Sequence, residues 1–136
     1  MVECTLYRIV IRNNIAEKQY IYLREKEGER SFPIVIGFYE AQEIRRKLNG
    51  EATVRPLTHD LVRAVIHDLA AKLVGIEIDE LRDNTFFAKL LIEKNGGALR
   101  LDCRPSDAIA LAVAENVPIF VDDSVLEAAP GTIEGA

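Results

Sequence analysis

The sequence has 136 residues and a mass of 15.2 kDa, enough for one ordinary domain with a hydrophobic core. Hydrophobic residues make up 49% of the chain and charged residues 29%, as in water-soluble globular proteins. The 17 lysines and arginines are outnumbered by 22 acidic residues, and the formal charge of −5 argues against binding of nucleic acid through a broad basic surface.

The chain shows no sign of a membrane segment or of a zinc site. Its longest apolar run, 108–114, is far shorter than the roughly 18 residues that a spanning helix needs. Glu3 stands where a signal peptide would carry basic charge. Cys4 and Cys103 lack the spacing of zinc ligands and are predicted to be small buried residues in a reducing compartment. We therefore expect a cytoplasmic protein without a membrane partner.

The first half of the chain predicts three strands followed by two helices. Alternating apolar residues indicate strands at 4–12, 19–25 and 32–36, and helical spacing indicates a helix at 38–48 that ends at Asn49-Gly50. A second helix is predicted at 58–74, with Thr58 as its N-cap. Its expected apolar stripe repeats every four residues and consists of Leu61, Val65, Leu69 and Leu73, with Val62 and Ile66 beside it.

The second half predicts the same order of elements. Strands are expected at 76–81, 86–93 and 99–103, with a tight hairpin turn at Asn95-Gly96-Gly97. A helix opens at Arg104-Pro105 and continues to about Asn116, since proline is well tolerated in the first turn. A short strand at 118–121 and a helical turn at 123–128 follow.

Shifting the chain by 67 residues aligns the strands of its two halves, for example Ile9 with Ile76 and Ile34 with Leu101. Each half thus consists of a β-β-β-α unit, and the helix at 58–74 lies between the two units. This order predicts the α+β class, with helices packed on a mixed or antiparallel sheet. We expect a single domain over residues 1–128 and a flexible C-terminal tail over 129–136.

Two His-Asp dipeptides, His59-Asp60 and His67-Asp68, are candidates for metal or acid–base chemistry. The eight residues between them span about 12 Å along a helix, so one ion cannot bind both pairs. His67 and Asp68 are predicted to face solvent. His59 and Asp60 are candidate catalytic residues in the first turn of their helix, where a carboxylate also stabilises the helix dipole.

A second group of polar residues spans the end of a strand and the start of the next helix. Unpaired backbone N–H groups at a helix start favour anions, and Arg104 and Ser106 are candidate phosphate-binding residues there. Asp102 and Asp107 are candidate catalytic residues and ligands for Mg²⁺ or Mn²⁺. The alternative is that Asp107 caps its helix, as Glu40 would at the corresponding place in the first half, and that Arg104 pairs with a carboxylate.

Arg55 is a further candidate for phosphate binding because Pro56 holds it extended just before the second helix. The basic triplet Arg45-Arg46-Lys47 is predicted to form a solvated helix face. The sequence contains none of the motifs of P-loop proteins, dinucleotide-binding folds, serine hydrolases or zinc proteases. Aromatic residues in the aligned strands are expected to pack within the fold rather than stack on bases: Tyr20, Tyr22, Phe86 and Phe87.

Five segments together resemble the bifunctional nuclease (BFN) domain family of bacterial and plant proteins. They are FPIVIGFYEAQEI (32–44), RPLTHDLV (55–62), TFFAKLLIE (85–93), RPSDAIALAV (104–113) and PIFVDDSVL (118–126). The resemblance extends over about residues 2–127. It implies a compact α+β domain that often forms a homodimer or higher homo-oligomer, and nuclease activity on DNA and RNA as in plant members. The motif residues that it carries over are Glu40, Arg55, Thr58, His59, Asp60, Asp102, Arg104, Ser106 and Asp107.

Two functions are compatible with these observations. The first is a phosphodiesterase that acts on single-stranded DNA or RNA with a divalent metal, in which His59 moves a proton and Arg55 and Arg104 hold phosphate. The second is a non-catalytic homo-oligomeric module that binds a small anion or a protein partner, which the acidic composition and the capping alternative favour.

Overall fold

Seven strands and four helices make up the structure, a computed structural model that describes residues 1–129 and residue 131. The first unit contains β1 (Val2–Val10), β2 (Gln19–Glu25), β3 (Ser31–Ile36) and α1 (Phe38–Leu48). Helix α2 (Thr58–Asp68) follows. The second unit contains β4 (Lys72–Arg82), β5 (Thr85–Lys94), β6 (Gly97–Cys103) and α3 (Pro105–Glu115), and the chain continues with β7 (Ile119–Val121) and α4 (Asp123–Ala128).

All seven strands form one mixed sheet in the order β3-β2-β1-β7-β4-β5-β6. Each predicted unit supplies one antiparallel half of the sheet. The short strand β7 joins the halves, pairing antiparallel with β1 and parallel with β4. The predicted α+β class, with two β-β-β-α units and a helix between them, is confirmed.

The helices cover one face of the sheet, and the core lies between the two layers. Alternation along the strands directs Ile21, Leu23, Ile76 and Ile78 to this face, where they are fully buried. The aliphatic residues of α3 complete the core, since residues 108–112 of that helix are all buried. The predicted alternation of the strands therefore identifies the core correctly.

The sheet curls strongly enough to bring its two halves together at one end. Phe32 of β3 stacks on Phe86 of β5, with ring centroids 5.6 Å apart, although four strands lie between β3 and β5 in the sheet. The gap that remains there forms a cleft of about 830 Å³ between β3, the β4–β5 hairpin and the start of α3. This curl, which follows from tertiary packing, places a cavity next to the first turn of α3.

Tight turns join the strands of the second unit. Asn95 and Gly96 have φ values of 53° and 75°, as a two-residue hairpin turn requires, which confirms the predicted turn. Asp83 and Asn84 adopt the same left-handed conformation between β4 and β5, with φ values of 52° and 61°. This second turn was not predicted from the sequence, although Asp and Asn are common in such positions.

The prediction of a helix over 58–74 is wrong beyond residue 68. Helix α2 ends at Asp68, Ala70 adopts a left-handed conformation with φ of 58°, and Lys72 already begins β4. The predicted stripe is wrong as well, because Leu61, Val65 and Leu69 are largely exposed, while Val62 and Ile66 contact the core. Leu73 is buried as part of β4.

The predicted C-terminal tail over 129–136 lies mostly outside the described residues, and the domain boundary at residue 128 stays a prediction. Within residues 1–129, no helix is long enough or apolar enough to cross a bilayer.

Candidate functional site

The first turns of three helices meet on the covered side of the sheet and bring the main candidate residues together. Glu40 lies in the first turn of α1, His59 in that of α2, and Asp107 in that of α3, with Arg104 as the N-cap residue of α3. A helix N-terminus carries a partial positive charge and free N–H groups. The three N-termini that meet here therefore favour the binding of an anion.

Asp107 links the residues of this site. Its carboxylate accepts two hydrogen bonds from the Arg104 guanidinium, each 2.9 Å long, and lies 2.9 Å from Nε2 of His59. Arg104 also approaches Glu40, with 3.8 Å between the guanidinium nitrogen and a carboxylate oxygen. Burial raises the pKa of Asp107, but the hydrogen bonds from Arg104 and His59 outweigh it and hold that pKa below its ordinary value.

These contacts favour the pairing interpretation of Asp107 over the capping one. Helices α1 and α3 both begin without a side-chain cap, and both carboxylate oxygens of Asp107 point to side chains of other residues. Glu40 is likewise engaged by Arg104. The site residues are therefore held by each other, across three helices.

The contact with Asp107 fixes the tautomer of neutral His59. When Nε2–H donates to the Asp107 carboxylate, Nδ1 carries the lone pair and is able to accept a proton. The His59 side chain is 14% exposed, whereas the His67 side chain is 89% exposed and contacts only its neighbour Asp68 among the described residues. The solvent-facing prediction for His67 and Asp68 is thus confirmed.

The cleft of about 830 Å³ opens beside this site. Arg104, Ser106 and Asp107 line one end of it, and apolar residues from β3 and the β4–β5 hairpin line the other. Arg104 is largely exposed, whereas Ser106 is buried. A ligand in the cleft therefore meets an arginine and a helix N-terminus at one end and apolar walls at the other.

Asp60 lies away from this site and holds α2 in place. Its carboxylate accepts hydrogen bonds from the ammonium group of Lys47 and, over 2.9 Å, from the backbone N–H of Leu57. These two bonds, the one from Lys47 first, hold the pKa of Asp60 below its ordinary value. Leu57 is the N-cap residue of α2, so the prediction of Thr58 as N-cap is wrong.

Two further candidates form no hydrogen bond or ion pair with His59, Arg104 or Asp107 among the described residues. Asp102 lines the cleft together with Arg104, but its side chain is 75% exposed and lies 3.5 Å from Nζ of Lys89, which also donates to Asp79 over 3.1 Å. Arg55 is exposed in the loop before α2, and its guanidinium forms no ion pair within residues 1–129. Arg104 therefore lies at the centre of the site as the candidate for phosphate binding, while Arg55 lies outside it.

The carboxylates present do not fit a divalent cation in this arrangement. The described part of the chain contains no group of three histidine, cysteine, aspartate or glutamate side chains placed to hold a metal ion. Asp107 is already bonded to Arg104 and His59, and Asp102 pairs with Lys89. The assignment of Mg²⁺ or Mn²⁺ to Asp102 and Asp107 stays a prediction without support from this donor set.

Both cysteines behave as small buried residues. Cys4 is buried and Cys103 half-buried, and neither forms a disulfide. Burial raises the pKa of Cys4 to about 11 and that of Cys103 to about 12. At neutral pH both are thiols, which are poor nucleophiles compared with thiolates.

A network of ion pairs that was not predicted from the sequence joins α1, α2 and α3. Lys47 lies between Asp60 of α2 and Glu43 of its own helix, whose carboxylate oxygen is 3.4 Å from Nζ. Arg63 of α2 pairs over 2.8 Å with Glu115 of α3. The prediction that Arg45-Arg46-Lys47 forms a solvated face is wrong for Lys47, which is only 12% exposed. The spacing of Glu43 and Lys47, one helical turn apart, was the available signal.

We expect the contribution of Asp107 to stability to disappear in acid. A carboxylate with a depressed pKa in the folded state stabilises the fold above its unfolded pKa of about 3.9, and this stabilisation is lost as pH falls through the folded pKa. At pH 7, Asp107→Asn is therefore expected to unfold at lower urea concentration than the wild type. The difference in unfolding free energy should shrink as pH falls below the unfolded pKa and through the lower folded pKa. A difference that stays constant with pH would contradict the ionised pairing.

The sequence matches a protein family and proteins of two organisms. The family model described as "Bifunctional nuclease domain" matches residues 21–134. An uncharacterized protein from two strains of Mycobacterium tuberculosis is 41% identical over 106 residues, which are 78% of this chain and 63% of that protein. The protein named Bifunctional nuclease 2 from Oryza sativa subsp. japonica is 27% identical over 114 residues, which are 81% of this chain and 35% of that protein. The chain thus spans less than two thirds of the length of each relative.

Proposed function

The chain belongs to the bifunctional nuclease domain family, and on this basis we propose that it is a nuclease that cleaves phosphodiester bonds of single-stranded DNA or RNA. The observation that carries the proposal is the pairing of His59 and Arg104 through the Asp107 carboxylate, at the meeting point of three helix N-termini. A proton-transfer group and a phosphate-binding group are the two parts that such a reaction needs from a protein.

Arg104 binds the scissile phosphate in this proposal. Its guanidinium is largely exposed at the end of the cleft, and Asp107 fixes its plane by accepting two hydrogen bonds. The N–H groups that face neither Asp107 nor Glu40 donate to a non-bridging phosphate oxygen, where negative charge increases in the transition state. The N-terminus of α3 adds its partial positive charge at the same place. Ser106 lies buried in the first turn behind Arg104 and supports this geometry.

His59 moves the proton. Nδ1 accepts a proton from a water molecule as its oxygen attacks phosphorus, and the bond from phosphorus to the leaving oxygen breaks. The same imidazolium then returns the proton to the leaving oxygen. Asp107 keeps the ring oriented through its contact with Nε2.

The test is a cleavage assay with the two histidines of α2 as a matched pair. We expect purified protein to degrade labelled single-stranded RNA or DNA, and His59→Ala to lower the rate at least about 100-fold because general acid–base catalysis is lost. His67→Ala removes an exposed histidine of the same helix and is expected to leave the rate unchanged. Equal rates for all three proteins would identify a contaminating nuclease and refute the proposal.

The same assay decides the metal question. Since the donor set around Asp107 does not fit a divalent cation, no step above depends on one, and we expect cleavage to persist in EDTA. Cleavage that EDTA abolishes, and that Mg²⁺ or Mn²⁺ restores, would support the metal role of Asp102 and Asp107 instead.

A specific observation also supports a homodimer or higher homo-oligomer. Helix α2 exposes Leu61, Val65 and Leu69 on one face, and the edge strand β6 exposes Leu99 and Leu101 on the sheet face that elsewhere carries the core. Large exposed apolar side chains in clusters are typical of protein interfaces. A non-catalytic module that acts through such an assembly, and binds a small anion or a protein partner, is the second candidate function.

Light scattering after gel filtration tests the assembly. We expect a mass of at least two chains for the wild type, and a shift towards the monomer for the double variant Leu61→Asp and Val65→Asp. Arg45→Asp, on the exposed side of α1, is the control for added negative charge. A monomeric wild type at high concentration would refute the assembly. An assembled protein without any cleavage would favour the non-catalytic module.

A further inference from the structure

A group of arginines and tyrosines lies on the face of the sheet that the helices do not cover. Ile21 and Leu23 of β2 point into the core, so alternation places Tyr22 and Arg24 on the opposite face. The guanidinium of Arg8 lies 5.4 Å from the ring centroid of Tyr22, and that of Arg24 lies 5.5 Å from the ring centroid of Tyr7. We call Tyr7, Arg8, Tyr22 and Arg24 the Arg–Tyr patch, in which Tyr22 is buried and the other three residues are exposed.

An irregularity in β1 creates this patch. The register between β1 and β2 shifts between Leu6 and Arg8, so Tyr7 has no partner residue in β2. Both Tyr7 and Arg8 contact residues of the same face of β2, whereas a regular strand would direct neighbouring side chains to opposite faces. The bulge therefore presents an aromatic ring, which is 52% exposed, and a cation side by side.

The charges of the two arginines are not neutralised. In the part of the chain that the structure describes, no carboxylate forms an ion pair with Arg8 or Arg24. A guanidinium that stacks on a tyrosine ring contacts the ring with its planar face. The N–H groups at the edge of the guanidinium stay available as hydrogen-bond donors. In a chain with a net charge of −5, two adjacent unpaired cations beside an exposed ring are a localised anion-binding surface.

We propose that the Arg–Tyr patch binds a single strand of nucleic acid, with Arg8 and Arg24 on its phosphates and Tyr7 stacked on an unpaired base. Phosphates spaced along a strand match the two guanidinium groups, and every base presents a face that stacks on an aromatic ring. The patch lies on the opposite side of the sheet from His59 and Arg104, so it holds the strand away from the site of cleavage. The proposal rests on nucleic acid being the substrate of the proposed function.

Fluorescence anisotropy with labelled oligouridylate and oligothymidylate of about 12 nucleotides tests the patch. The full chain carries His59→Ala, so the probe stays intact whether or not the proposed cleavage occurs. We expect the double variant Arg8→Gln and Arg24→Gln to raise the Kd about 10-fold and to flatten the slope of log K against log salt by about 1.4, or 0.7 per lost phosphate contact on a single strand. Tyr7→Ala is expected to weaken binding several-fold without changing that slope.

Arg82→Gln is the matched control. Arg82 also stacks on an aromatic ring, 4.8 Å from the centroid of Phe87, but Glu80 lies 3.3 Å from its guanidinium and neutralises it. We expect the Arg82→Gln variant to bind the oligonucleotides with the same Kd as the parent protein that carries only His59→Ala. The double variant Arg8→Lys and Arg24→Lys keeps both positive charges but has no planar guanidinium to stack on a tyrosine. We expect its Kd to lie between those of the parent protein and the glutamine double variant. This variant also tests the patch if the glutamine double variant does not fold.

Several results would overturn the proposal. An unchanged Kd in the glutamine double variant would show that the patch does not contact the strand. Polyglutamate that competes as well as the oligonucleotides would show an unspecific anion surface. Tighter binding of oligouridylate would identify RNA as the preferred strand, and tighter binding of oligothymidylate would identify DNA. Either preference supports the proposal. Loss of binding in the patch variants together with absent cleavage in the wild type would refute the nuclease proposal alone.

Discussion

Replacing Lys47 with methionine is expected to lower the free energy of unfolding by about 2–3 kcal/mol, the largest effect on stability among the charged residues discussed. Lys47 is 12% exposed between Glu43 and Asp60. One oxygen of Glu43 is buried and accepts no hydrogen bond from the described residues, so the ammonium group 3.4 Å away is its compensation. Without Lys47, the carboxylates of Glu43 and Asp60 lose the cation that they share, although their side chains are only 7% and 24% exposed to water. For a chain of this size the midpoint should fall by roughly 10 °C.

Arg45→Met is the control for this variant. Arg45 is on the same helix but exposed, and it bonds only to Gln42 among the described residues. We expect a change below about 0.5 kcal/mol. Adding Glu43→Leu to Lys47→Met should recover part of the loss, because it removes the buried Glu43 oxygen that has lost its ammonium neighbour, although Arg46 still bonds to the other oxygen. Chemical denaturation of the four proteins measures these differences. If Lys47→Met lowered the free energy of unfolding no more than Arg45→Met does, the ion-pair network would contribute little to stability.

Arg104→Ala is expected to lower kcat/KM for cleavage about 100- to 1000-fold. In the proposed reaction Arg104 stabilises charge that increases on the phosphate in the transition state, and loss of one such donor typically has an effect of this size. Arg104→Lys should restore little of the lost kcat/KM. Lysine keeps the positive charge, but it has no planar guanidinium that Asp107 could orient through two hydrogen bonds. Steady-state kinetics on a single-stranded substrate measures both variants.

Arg100→Ala controls for the loss of an exposed arginine. Arg100 lies on β6, four residues from Arg104, and pairs with Glu77 and Asp79 on the other face of the sheet. We expect its kcat/KM to stay within about twofold of the wild type. Thermal unfolding separates a catalytic effect from a structural one, since Arg104 is largely exposed and its removal should shift the midpoint only slightly. Arg104→Ala with wild-type kinetics would refute the role of Arg104 in phosphate binding.

The local features of the fold were predictable from the sequence because neighbouring residues determine them. The boundaries of β2 and α1, and the hairpin turn at Asn95-Gly96, follow from alternation, helical spacing and the turn preference of Asn-Gly. The end of α2 was not predictable in this way. Apolar residues continue through Leu69 and Leu73, and only the pairing of Lys72 and Leu73 with β5 decides that they belong to a strand.

The functional site was predictable only as a set of residue types. His59, Arg104 and Asp107 carry suitable chemistry, but His59 and Asp107 are 48 residues apart in the chain. Their contact depends on how α2 packs against α3. Asp60 and Asp102 have equally suitable side chains, but the packing of α2 against α1 directs Asp60 to Lys47, and the register of β5 and β6 places Asp102 opposite Lys89. No local pattern distinguishes carboxylates that meet a histidine from carboxylates that meet a lysine.

The repeated order of elements determined the α+β class with its two β-β-β-α units, and the charge of −5 argues against a broad basic surface. These properties depend on composition and on short-range periodicity, which the sequence contains directly. The tertiary structure alone decided the curl of the sheet that forms the cleft, the convergence of three helix N-termini, and the bulge in β1 that exposes Tyr7. Each of these depends on contacts between residues distant in the chain, whose energies are set by packing and not by the identity of sequence neighbours.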